Sequence, residues 1–115
     1  MRAVVLGAQS HRILQAVGDR LGQVLALRDI ARGLSALGRE GDESAAMLVA
    51  WAAAQPIDHP FAEEMRQATG MASPPPGLLF EAQVTLTAAM SDCESELLRL
   101  GEDPWSPLRT ESSAS

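Results

Sequence analysis

A chain of 115 residues with 46% hydrophobic content and a net charge of −6 reads as one soluble domain with a modest core, not a disordered tail. Its single cysteine, Cys93, excludes an internal disulfide framework, and the acidic balance argues against binding a nucleic-acid backbone, whose affinity comes from cationic side chains displacing counterions. Aromatic residues make up only 3% and tyrosine is absent, so the core must be built from Ala, Leu, Val and Met, which favours closely packed helices.

The charge is unevenly spread. Residues 1–40 carry six Arg against three acids, for +3, whereas residues 41–115 carry three Arg against twelve acids, for −9. The split suggests that an arginine face of the first segment meets the acidic half, within one chain or between two; the alternative is two separately solvated faces.

In chain order, Ala3–Leu6 reads as a short strand or a frayed first turn, set apart by Gly7. The apolar run at the start covers about six residues, short of the ~7–15 that a signal peptide needs. Ser10 to Gly38 is the longest helical pattern, with Ser10 a plausible cap. Its apolar stripe changes face. Ile13, Leu14, Val17, Leu21, Val24 and Leu25 form one stripe, and from Leu27 onward Ile30, Leu34 and Leu37 line the opposite side. Two arrangements fit: a break near Ala26–Arg28, or one long helix whose halves are buried against different neighbours. Gly18 and Gly22, four residues apart inside this pattern, suggest close approach of another backbone.

Asp42 is placed to cap a second helix that runs to about Gln55 and stops before Pro56. Its body, AAMLVAWAAA, is apolar on all faces, as expected of the central core helix, with Trp51 its largest side chain. At about half the length of a membrane span, it is no transmembrane candidate. A third, short helix follows, capped by Asp58, with Pro60 in its first turn, Phe61, Met65 and Ala68 inward, and Gly70 as terminator. Ser73–Gly77 contains three consecutive prolines and reads as a stiff spacer.

Leu78 to Leu100 carries the sharpest pattern. Leu79, Gln83, Leu86, Met90, Cys93, Leu97 and Leu100 fall at alternating spacings of four and three, a heptad seam, and Gly101 follows as a C-terminal cap. Strict alternation over Phe80–Thr87 offers a strand instead, but the seam continues where alternation fails, so helix is preferred. Residues 102–115 should form an irregular tail beyond a single helical domain at 1–101, with Trp105 and Leu108 docking back on the bundle or anchoring a partner.

Chemistry is harder to find. Asp58, His59 and Glu63 superficially suggest a metal site, yet Asp58 is better explained as a cap, and no second histidine or thiolate is near in sequence. Cys93 lies on the seam and reads as a small apolar core residue, not a nucleophile. The carboxylate pairs Glu63/Glu64 and Glu94/Glu96 are typical of solvated helix surfaces, and no phosphate-cradling glycine loop is present. The stretch 27–40 faintly suggests the first half of a helix-turn-helix, but the helix after it belongs in a core instead of a major groove.

The expected fold is therefore all-α: a compact bundle of four to five helices with a proline-rich spacer before the last long helix. The expected function is a non-enzymatic protein–protein interaction module, cytoplasmic, needing no cofactor or metal and contacting neither nucleic acid nor membrane. In general look it is similar to small acidic helical chaperones and adaptors of bacterial secretion systems, an analogy of class that transfers no residue. The partner is another protein or the chain itself as a homodimer, with candidate interface residues Leu34, Leu79, Gln83, Leu86, Met90, Leu97, Trp105 and Leu108. The alternative is a small enzyme, or a metal- or small-molecule-binding helical domain, using a pocket near His59.

Overall fold

The computed structural model describes residues 1–101 of the chain, so the expectations for the tail, Trp105 and Leu108 included, lie outside the described residues. Five α-helices follow one another: α1 (Arg2–Val17), α2 (Arg20–Ala36), α3 (Glu40–Ala54), α4 (Pro60–Thr69) and α5 (Pro76–Arg99), with a 3-10 turn at Gln55–Ile57 between α3 and α4. The fold is all-α, and Phe80–Thr87 is helical. No helix among the described residues is long and apolar enough to cross a membrane.

The chain does not break where the change of stripe suggests. It is helical from Arg2, so Ala3–Leu6 is neither strand nor frayed turn, and Ser10 caps nothing. The break comes at Gly18–Asp19, not at Ala26–Arg28. Gly18 adopts a left-handed conformation (φ 75°), which glycine enters without a Cβ penalty, and the N–H groups of Gly18 and Asp19 close on Gln15 and Leu14 carbonyls. Asp19 then caps α2 by accepting from the Gly22 N–H at 2.9 Å. Gly22 is crowded by the side chains of Leu14 and Asp19, not by another backbone.

The close approach expected of a glycine pair occurs elsewhere. A Cβ on Gly7 would lie 2.6 Å from Ile30 Cγ1, and one on Gly33 would lie 2.8 Å from Val4 Cγ2. Val4 and Ile30 thus each fill the hollow left by a glycine on the facing helix, which locks α1 antiparallel against α2.

α3 is the centre of the core, as its all-round apolar body implies. It packs against α2, α4 and α5, while α1 packs against α2 and α5, so the four longer helices close a ring. Trp51 is fully buried, together with Leu27, Ile30, Leu34 and Phe61. The cap differs from expectation. α3 starts at Glu40, and Asp42 lies inside its first turn, paired with Arg39 at 2.6 Å. There its carboxylate faces the helix's positive end instead of accepting a capping hydrogen bond. Gln55 Nε2 reaches over to donate to the Ala72 carbonyl at 3.0 Å, tying the end of α3 to the linker before α5.

α4 begins one residue later than expected. Asp58 occupies the left-handed region (φ 53°), which Asp tolerates, and His59 becomes the cap, its Nδ1 accepting from the Phe61 N–H at 3.1 Å. Phe61 is buried, with the Arg28 guanidinium 4.9 Å above its ring centre, but Ala68 is exposed. Gly70 ends α4 as read. The proline spacer is shorter than the sequence implied, because Pro76 and Gly77 already form the first turn of α5.

Candidate interaction surface

The heptad seam of α5 faces inward. Leu86, Cys93 and Leu97 are buried and Leu79 and Met90 half-buried, so these five positions close the core within one chain, while Leu100 at its end is exposed. Leu34 is fully buried as well. These positions correct the list of interface residues: Leu34, Leu86 and Leu97 are already covered by the chain's own helices and offer no surface to a partner. Gln83 is exposed.

What remains outside is the other side of the first two helices. Ala3, Leu6, Ser10, Ile13 and Val17 recur along α1 at spacings of three and four, and all turn away from the core. Leu6 is half-buried, while Ile13 and Val17 are 59% and 70% exposed. On α2 the same spacing runs through Gly22, Leu25, Asp29, Arg32 and Ala36, with Leu21 and Leu25 about half exposed. Between the two stripes lies a shallow groove of ≈ 760 Å³, floored by the small residues Gly7, Ala26 and Gly33. The contacts of Ile30 with Gly7 and of Val4 with Gly33 set its depth, because they draw the two backbones together. Sequence reading missed this surface because it started the helix at Ser10, which hid the register of Ala3 and Leu6. The spacing itself was legible. A smaller apolar area lies on the outer face of α5, where Phe80 is 68% exposed beside Val84.

The charge split of the sequence is realised in part within the chain. Arg39 contacts Asp92 at 3.3 Å and Arg12 approaches Glu94 at 3.8 Å, both joining the first forty residues to α5. These are exposed or half-exposed pairs of little energetic weight.

The polar features have structural explanations. His59 spends Nδ1 on its cap, and Glu63 pairs with Arg66 and Gln67, so the polar groups of the alternative site around His59 are engaged in local helix contacts. Among the described residues no three His, Cys, Asp or Glu side chains are grouped to hold a metal ion. Cys93 is buried, and burial pushes its thiol above the usual range, with Arg39 Nη1 at 3.9 Å from Sγ only partly opposing this. At neutral pH it is a thiol, poorly suited to nucleophilic attack. A polar crevice of ≈ 160 Å³ opens where α1, α2, α3 and α5 meet, lined by His11, Gln15, Arg20, Gln23 and Gln83 over Val49 and Ala52. Burial holds His11 below its ordinary value, and Gln23 Nε2 donates to the Leu14 carbonyl at 3.3 Å. The crevice therefore gives up one of its carboxamides to bracing the turn between α1 and α2.

No family model, no characterised protein sequence and no solved structure matches this chain.

Proposed function

We propose that this chain is a non-enzymatic protein–protein interaction module, an adaptor, regulatory partner or chaperone-like protein of the cytoplasm, that binds through the outer face of α1 and α2. The observation that carries the reading is the outward-facing groove between α1 and α2, walled by Leu6, Leu14 and Leu25, with Ile13, Val17 and Leu21 exposed on the same two helices. Apolar side chains scattered singly are normal on a surface, but a contiguous apolar groove on a small protein marks a binding face. Its dimensions suit an apolar helix, whose side chains at every third and fourth residue would enter the trough between α1 and α2. The glycines and alanines of the floor let such a helix approach closely.

The test compares the wild-type chain with a Leu21→Glu, Leu25→Glu double variant, both purified from the native cell through an affinity tag. Leu21 and Leu25 are 50% and 49% exposed, so the variant should fold with unchanged helical content and lose the partners that the wild type retains. Retention of every partner by the folded variant would remove the groove from consideration.

A further inference from the structure

Resting on the interaction-module reading, we propose that the occupant of the α1–α2 groove is a second copy of this chain, the two hairpins packing face to face about a two-fold axis.

Charge selects both the face and the partner. Each copy carries −6, so two copies repel unless they meet through a face that is locally neutral. On the outer face of α5 the groove beside Val84 is lined by Gln83, Thr87, Ala88 and Ser91, uncharged but without a pair of opposite charges to fix a register, and Glu81 stands next to Phe80 in sequence. The α1–α2 groove is different. The only charged residues lining it are Asp29 and Arg32, which lie one helical turn apart, 2.9 Å from each other, and cancel.

A two-fold axis makes the same patch serve twice, so a residue that meets a second residue across the interface is met in return. Two α2 helices running antiparallel across the axis, centred between positions 29 and 32, set Asp29 of each copy beside Arg32 of the other. The groove is thus complementary to itself in charge as well as apolar. A partner of unrelated sequence would need only the apolar part of this pattern.

The spacing agrees. Alternating steps of three and four on both helices of a hairpin are the pattern of helices that cross at about 20° in a four-helix layer. At ~1.5 Å per residue, α1 and α2 present a face about 25 Å long and about 20 Å wide. Two such faces bury on the order of 1,000 Å² in total, at the threshold for a specific interface, so the dimer should be of modest affinity and concentration-dependent.

The experiment uses the full chain in sedimentation equilibrium at low and high micromolar concentration. Wild-type protein should move from a 12.2 kDa species toward twice that mass as concentration rises. Asp29→Arg gives each copy two adjacent cations in the groove and Arg32→Asp gives two adjacent anions. Each variant alone should dimerise at least about tenfold more weakly, because like charges then face one another. Mixed together, the two should form a heterodimer, since a doubly positive groove meets a doubly negative one. Asp29 and Arg32 side chains are 64% and 71% exposed, so both variants should retain wild-type helical content, which circular dichroism checks.

A wild-type chain that stays at 12.2 kDa and folded at high micromolar concentration overturns the proposal. So does a dimer that neither variant weakens and that the mixture does not rescue. If the chain is monomeric while the Leu21→Glu, Leu25→Glu variant still loses its cellular partners, the second copy is ruled out and the groove belongs to another protein's helix. If the dimer forms as described and no other partner depends on Leu21 and Leu25, self-association is supported and the adaptor reading falls.

Discussion

α3 and the α1–α2 hairpin are both rich in apolar residues, yet they meet opposite ends. α3 is apolar on every side and is wrapped by α2, α4 and α5, so that Ala46, Ala50, Trp51 and Ala54 are fully buried. α1 and α2 each have an inner stripe of Val4, Val24, Leu27, Ile30 and Leu34 that is equally buried, and an outer stripe that nothing among the described residues covers. The difference is one of neighbours. A central helix has others on all sides, whereas a peripheral hairpin has the bundle on one side and solvent on the other. A second apolar stripe on a peripheral helix thus gains nothing from this fold.

Substitutions at three positions probe the contrast, beginning at the core. Trp51→Ala should destabilise by roughly 3–5 kcal/mol in denaturant unfolding, the range for truncating a buried large aromatic. The indole N–H of Trp51 is buried without an acceptor, so Trp51→Phe should cost much less, because it also removes an unsatisfied donor. A loss below about 1 kcal/mol for Trp51→Ala would mean that α3 is not the centre of the core.

The contact between the two regions is tested at Gly7. Although alanine is the better helix former, a methyl group here would meet Ile30 Cγ1 at 2.6 Å, near the root of its side chain. Gly7→Ala should therefore destabilise by about 1–3 kcal/mol through overpacking. A stabilised variant would show that α1 and α2 can move apart at no cost, and that the depth of the groove is not fixed by this contact.

The smallest effect is expected on the outer face. Leu21→Gln should change the stability of the monomer by less than about 0.5 kcal/mol when measured at low protein concentration. A loss comparable to that of Gly7→Ala would show that the outer stripe is covered in the isolated chain. Leu34→Glu and Leu86→Glu, by contrast, place a charge in the core and should unfold the protein, so neither reports on association.

The C-terminal ends of α3, α4 and α5 were legible because they are written in single residues. Pro56 and Pro60 bracket the turn after α3, Gly70 ends α4, and Gly101 follows α5 in the left-handed region (φ 78°). α1 was misread because Gly18 fits two local descriptions, a tolerated residue within a helix and a left-handed cap. The choice depends on whether Asp19 finds the Gly22 N–H once the chain has turned. Asp58 and His59 were exchanged for a similar reason: both can accept from a free N–H, and one backbone angle decides which does so.

By itself the sequence determined the all-α class, the apolar character of α3 and the core position of Cys93, because composition and periodicity are local properties. It also determined that α5 has a seam. Only the tertiary structure decided that this seam closes inward on α1 and α3, that Leu34, Leu86 and Leu97 are core, and that Leu6, Ile13, Val17 and Leu25 are left at the surface. A helical period states which residues share a face. Which face is covered depends on where the neighbouring helices lie, and here that was settled by the turn at Gly18–Asp19 and by the fit of Val4 and Ile30 against two glycines.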